Sequence, residues 1–317
     1  MQSSIRFGLS SAASWAWGTS LIVGMQIAQQ KGLTAWLIWA VANTLTLAFF
    51  GAITRTGFLG REVFGRKPIK WAAIAIQGLC LLIQMNIIFE VLTKFGLGWW
   101  EAYGAASGTG IVFTLWMYRH GLVTSVKTDV WQWFIAMLAI LAIIGIGLYT
   151  GAPRISFPES STSDILWGVW SACILLSGPV GDVQHWQRAE AAGTGSRAYF
   201  YGALFFGIYM ALILAMACFE FNSLMNGILL VAVLCVTSST IDSIAVAMHE
   251  ISSRVSGTAV SLFICLFWGV FAHFGVLSLW SHAGIYRVLF ALVILAMAWY
   301  EYRKKRLLFL YSIGLGL

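Results

Sequence analysis

Apolar runs of about twenty residues recur along the whole chain, separated by short polar links. They lie at roughly 8–30, 33–54, 71–93, 99–118, 130–150, 164–183, 196–219, 222–249, 257–280 and 283–301. A run of that length is what one helix needs to cross hydrocarbon about 30 Å thick. The pattern predicts an all-α polytopic membrane protein with ten transmembrane helices. The links leave no room for a soluble domain, so residues 1–317 read as a single transmembrane domain. Ten spans divide into five plus five. With an odd number per half, the second half sits upside down relative to the first, so a 5+5 inverted repeat is expected, one unit over about 8–150 and the other over about 164–301. Span 1 then corresponds to span 6, and span 3 to span 8.

Two spans break the pattern. The run Ile165–Leu176 is too short to cross alone and is followed by S-G-P-V-G-D-V-Q-H-W-Q-R, Ser177–Arg188. It carries Pro179, which removes a helical donor, and Asp182, an acid at or near membrane depth. Span 1 carries S-A-A-S-W-A-W-G-T-S, Ser11–Ser20, where small and hydroxyl residues and Gly18 interrupt the run. Glycine unwinds cheaply, and Ser or Thr can satisfy freed backbone groups. The two interruptions stand at matching positions of the two halves. Irregular backbone inside a membrane is tolerated where it lines a cavity. The alternative for Gly and Ser is close helix packing.

Composition agrees: 60% of residues are hydrophobic and 10% charged, against about 25% charged in soluble domains. The N-terminal M-Q-S-S-I-R-F-G has no cleavable-signal pattern, so the first run is expected to stay as a span. The five cysteines lie in apolar runs without metal or disulfide spacing and read as small buried hydrophobes. The net charge of +7 reports orientation rather than nucleic acid. With the N-terminus cytoplasmic, fifteen of the nineteen Lys and Arg fall on the inner side, and Lys31, Lys94, Arg154 and Arg287 on the outer. That bias places both termini inside a cell membrane, with a bacterial inner membrane expected.

The polar residues within spans are the candidate chemistry. In span 8, Thr237, Ser238, Ser239, Thr240, Asp242 and Ser243 fall within seven residues. Their oxygens suit a small cation, or they bond back to their own helix. In span 3, Gln77 and Gln84 share a face and either bond a solute or join helices. Glu90 and Glu101 read as interfacial acids, and His273 as a packed histidine in span 9. His185 and His249 read as solvated residues of the cytoplasmic rim, with a proton relay as the alternative. G-A-A-S-G at Gly104–Gly108 fits helix packing.

Three motifs resemble the sodium:solute symporter family, whose core has the leucine-transporter type of fold. They are S-W-A-W-G-T-S-L-I-V-G-M (Ser14–Met25) in span 1, D-V-Q-H-W-Q-R-A (Asp182–Ala189) after the break in span 6, and S-S-T-I-D-S (Ser238–Ser243) in span 8. The chain resembles a minimal ten-span member. The resemblance implies a sodium site formed by the carbonyls of Ser14 and Trp17 and by Val236, Ser239 and Thr240. It departs from the family at Leu21 and Ile22, where sugar-transporting members carry polar residues.

The function expected is sodium-coupled symport of a small polar organic solute, with the bilayer, the solute and sodium as partners and no nucleic acid. No cofactor is expected beyond sodium as the coupling ion. Trp15, Gly18, Thr19, Gln84, Ser177 and Asp182 would bind the solute, and Gln184, His185 and Trp186 would gate the inner side. A proton-coupled transporter and a non-transporting solute-sensing module are the alternatives. No metal cluster or nucleophile–base pair is evident in the sequence, so an enzyme is not expected.

Overall fold

The computed structural model describes residues 2–55, 63–64, 66–193 and 195–312. These residues are almost wholly helical, with no strand among them; an isolated bridge joins Arg154 to Phe219. Eight helices are long and apolar enough to cross a membrane. They are α2 (Gly18–Arg55), α3 (Lys67–Lys94), α5 (Leu122–Thr150), α6 (Thr162–Gly181), α8 (Gly195–Ala217), α9 (Ser223–Ile251), α10 (Arg254–Phe267, continued by a 3-10 turn, Trp268–Phe271) and α11 (Val276–Ser312). Shorter or less apolar are α1 (Gln2–Trp15), α4 (Trp99–His120) and α7 (Val183–Ala192).

Polar and apolar residues are distributed as in a protein dissolved in lipid. Leu138, Leu148, Phe263, Val270 and Leu292 are exposed, while Asp129, Gln184, Arg188, Asp242 and Ser243 are buried. In water such an arrangement would be costly in both directions; against hydrocarbon it costs least. This is a multi-pass α-helical membrane protein.

At 38 residues, α2 would run about 57 Å if straight, nearly twice the hydrocarbon thickness. Gly32 divides it, with φ 83° and ψ 172°. Only glycine adopts that φ without strain, and a Cβ here would lie 2.2 Å from the Pro158 carbonyl oxygen. Ser160 Oγ accepts the freed Ala35 N–H at 3.1 Å. The chain therefore turns at residue 32, where the hydrophobic pattern placed the gap between two runs.

The interior is organised around α9, which packs on α5, α3, α4 and α10 and touches α1. Beside it, α1 packs on α8, and α2 on both α8 and α6. Helix α11 closes the arrangement against α6 and α3.

Several boundaries and roles differ from the sequence reading. Helix α5 begins at Leu122, not near 130, because Gly121 (φ 70°, ψ −167°) turns the chain in one residue. This draws Ser125, Thr128 and Asp129 into the bundle. Helix α10 ends at Phe267 and α11 starts at Val276, so the turn lies near 272–275 rather than 281–282. His273 is exposed in that turn, and Arg287 stands roughly three turns inside α11, buried, rather than in an outer loop. Arg188, counted with the inner loop charges, is also buried, as is His185. Glu90 accepts from Lys94 Nζ (2.7 Å), Gln26 Nε2 (3.2 Å) and Val276 N (3.2 Å), so it ties α3 to α2 and to the start of α11 instead of simply reaching water. Within Gly104–Gly108 both glycines face open space. The close packing falls on Gly110, where a Cβ would meet Cys265 Sγ at 2.6 Å. Cys80 and Cys265 are buried, but Cys173 is exposed. Arg61, one of the counted inner charges, lies outside the described residues.

Candidate functional site

Two helix interruptions lie in contact. The first separates α1 from α2 at Ala16 and Trp17. Its freed backbone groups are taken up by neighbours: Gly18 N–H donates to Gln84 Oε1 (3.2 Å), and the Ala16 carbonyl accepts from Tyr209 Oη (3.5 Å). Gly18 is required by proximity, since a Cβ there would lie 2.5 Å from Thr237 Cγ2 and 2.9 Å from Ile87 Cγ2. That places the break directly against the polar stretch of α9.

The second interruption follows Pro179. Pro179 lacks the N–H that would bond back within α6, and Asp182 is extended (φ −108°, ψ 108°) between α6 and α7. The Asp182 carboxylate caps α7 by accepting from Gln184 N (3.3 Å). It also accepts from Gln184 Nε2 (2.7 Å) and from Gln77 Nε2 of α3 (2.8 Å). Trp15 from the first break meets His185 from the second edge-to-face at 5.4 Å.

Beside the first break is a small cavity lined by Trp15, Trp17, Thr19, Asn43, Trp280 and Arg287, among others, with Leu175 of α6 also on its wall. Trp15 Nε1 donates to Asn43 Oδ1 (2.8 Å). The Arg287 guanidinium lies 4.6 Å from the Trp17 ring centre and 5.9 Å from that of Trp15. About 10 Å³ remains free for a water-sized sphere, room for one water at most. A solute enters this space only if the walls part. Larger cavities flank it at opposite ends of α9: about 380 Å³ beside Asn226 and Leu229, and about 470 Å³ beside Val246 and His249.

A second polar centre lies along α9. Arg188 of α7 pairs with Asp129 of α5 at 2.8 Å, both side chains fully buried. The same guanidinium donates to Ser10 Oγ (2.9 Å), Ser243 Oγ (2.6 Å), Ser125 Oγ (3.2 Å) and the Gln184 carbonyl (3.2 Å). Asp129 also accepts from Ser10 Oγ and from Ser239 Oγ (2.7 Å). Asp242 accepts from Ser125 Oγ (2.9 Å) and Thr128 Oγ1 (2.8 Å). One arginine thus joins α1, α5, α7 and α9. Asp242 stands beside this pair, held by hydroxyl groups and not in ion-pair contact with the arginine.

The residues expected to act together are partly assembled. Trp15 and Thr19 line the cavity, and Gly18 bonds Gln84 at its edge. Ser177 instead bonds its own helix at the Ile174 carbonyl (2.8 Å), and Asp182 is engaged by two glutamines. Of the expected sodium ligands, Thr240 Oγ1 donates to the Val236 carbonyl (3.0 Å) and Ser14 Oγ to the Ser11 carbonyl (3.3 Å). The Trp17 carbonyl accepts from Ser20 N (2.8 Å). Among the described residues the cross-helix link at this level is made by Ser239 through Asp129 to Ser10. Three further hydroxyls of α9 bond back to their own helix: Thr237, Ser238 and Ser243. Gln184, His185 and Trp186 are interior, with Trp186 Nε1 on the Val180 carbonyl (3.0 Å) and its ring 4.6 Å from Phe50.

Asp129, Ser10, Asn43 and Arg287 were not singled out by the sequence reading, and Arg188 only as the end of the polar stretch Ser177–Arg188 and as an inner charge. A signal existed for one of them: Ser125, Asp129 and Gln132 are spaced i, i+4, i+7 and put one polar stripe on an apolar helix. Arg188 and Arg287 gave none, because a basic residue near the end of an apolar run looks like a loop charge. No protein-family model matches the chain, and no curated protein matches it.

Proposed function

We propose that the chain is a cation-coupled secondary transporter, a symporter, that moves a small polar organic solute by alternating access, with sodium as the coupling ion. The observation that carries this reading is the contact of two helix interruptions inside an apolar bundle, with a small cavity beside the first. Broken helices at membrane depth are how carriers build a solute site. The cavities at the two ends of α9, separated by a closed centre, suit a site that opens to one side at a time.

The packing supports a ten-span, inverted 5+5 arrangement. In it, α1 with the part of α2 before Gly32 makes span 1, and α6 with α7 makes span 6. Exchanging the halves maps α1 on α8 onto α6 on α2, α3 on α4 onto α9 on α10, and α5 on α9 onto α11 on α3; all six pairs are in contact. With Arg188 and Arg287 removed from the loop charges, fourteen inner and three outer basic residues remain, which still favours cytoplasmic termini. The three motifs that resemble the sodium:solute symporter family point the same way.

The coupling cation would bind near Ser239, Asp129 and Asp242, where two buried carboxylates lie beside one arginine. A proton is the second reading, favoured by Asp242 taking its direct bonds from hydroxyl groups rather than from a cation. The decisive experiment reconstitutes the full chain in liposomes and screens amino acids, organic acids and osmolytes for uptake under a sodium gradient, with and without a protonophore. Sodium-driven uptake that survives the protonophore and is lost in Ser239→Ala/Thr240→Ala supports sodium. Uptake abolished by the protonophore supports the proton. A solute that stabilises the purified protein yet never accumulates under either gradient makes the chain a sensing module.

A further inference from the structure

We propose that Arg287 is the anchor of an anion site beside the first helix break, and that the ligand it takes is a small organic carboxylate. Arg287 is 3% exposed, and its Nη2 has no hydrogen-bond partner. No carboxylate of the described residues is in ion-pair contact with it. The nearby acid that feels its charge, Asp182, already accepts from Gln77 and Gln184. A guanidinium removed from water without a paired anion is costly. Stacking on Trp15 and Trp17 returns part of that cost and fixes the group's position, but supplies no counter-charge.

The surroundings select the sign of the missing partner, which enters when the walls of the cavity part. The cavity is walled by indole rings, which by themselves would suit a cation; the arginine lying on two of them repels one. The N-terminal end of α2 adds a second electropositive element, since Thr19 in its first turn lines the same cavity. Glycine makes the space: a Cβ at Gly178 would lie 2.4 Å from Trp15 Cη2 and 2.8 Å from Arg287 Nη2. A carboxylate meets the planar guanidinium with two parallel hydrogen bonds, and its apolar remainder would face Trp17, Trp39 and Trp280. As the anchor of a transported solute the site rests on the transport reading above; as an anion site it is tested without it.

The test is thermal unfolding of the purified full chain with acetate, lactate and benzoate, each against its uncharged amide, and with chloride and phosphate at equal ionic strength. The expected result is a saturable rise in midpoint with at least one carboxylate and none with its amide. The apparent affinity falls at least tenfold in Arg287→Gln and less in Arg287→Lys. Arg287→Gln without ligand melts at or above the wild-type temperature, which a merely structural arginine would not do. An amide as effective as its acid, chloride or phosphate as effective as any carboxylate, no shift with any carboxylate, or undiminished binding in Arg287→Gln overturns the proposal. Should Arg287→Gln fail to fold, the acid–amide comparison in the wild-type chain decides. Carboxylate binding without accumulation in liposomes leaves the anion site standing and removes the transport reading. Accumulation of an uncharged solute that Arg287→Gln carries normally does the reverse.

Discussion

Arg188 and Arg287 are buried to a similar depth in the same bundle, and their surroundings are opposite. Arg188 is saturated: a carboxylate, three serine hydroxyls and a carbonyl surround it, drawn from α1, α5, α7 and α9. Arg287 has two indole faces and an unpartnered Nη2. The first charge is consumed inside the protein and holds helices together. The second has no ion-pair partner among the described residues, which is what the proposed carboxylate would supply. The same residue type at the same depth can be a rivet or a receptor, and the partner list decides which.

The comparison is broken most forcefully at Arg188. Arg188→Ala leaves Asp129 buried with hydroxyl donors alone, and the expected loss is about 3–5 kcal/mol, read as a lower unfolding midpoint in detergent. The double variant Arg188→Ala/Asp129→Asn is expected to recover part of that loss; if it does not, Arg188 and Asp129 do not act as a pair. Next is Asp182→Ala, which uncaps α7 and strands the amides of Gln77 and Gln184, at about 1–3 kcal/mol. Asp182→Asn, which keeps an acceptor, should cost less, and equal losses would mean that the cap is irrelevant. Gly18→Ala should cost a similar or slightly smaller amount, about 1–3 kcal/mol, by driving a methyl group into Thr237. Adding Thr237→Ser removes the opposing Cγ2 and should restore part of the midpoint, the contact with Ile87 Cγ2 remaining; no recovery at all would place the strain elsewhere. The smallest effect belongs to Arg287→Gln, near zero or stabilising in the absence of ligand. A loss as large as that of Arg188→Ala would show that both arginines are rivets.

How far the site was legible depends on the kind of signal. Pro179 and Asp182 announced one helix break, because proline and a capping acid act on their own backbone. Gly18 and its small neighbours marked the other for the same local reason, and Gly32 fell in the gap between two apolar runs. Asp129 was half legible: its stripe with Ser125 and Gln132 was present, but the apolar run was taken to begin after it, and a one-glycine turn at Gly121 has almost no sequence signature. The α9 hydroxyls were legible as a cluster but not their partners: Thr237 and Thr240 bond their own helix, while Ser239 crosses to Asp129, Ser238 accepts from Gln132 and Ser243 from Arg188. Arg188 and Arg287 were misread outright, because a basic residue at the margin of an apolar run carries no mark of which way it points.

The sequence by itself determined that the chain is helical, that it lives in a membrane, and where its helices break. Lipid requires every backbone group to be satisfied internally and every long apolar face to point outward, and those demands are written locally, residue by residue. Only the tertiary structure decided that the two breaks touch, that Arg188 meets Asp129 from fifty-nine positions away, and that Arg287 reaches two tryptophans at the other end of the chain. Charge pairing depends on distance in space, and a chain that folds back on itself many times gives no hint of that distance in its order.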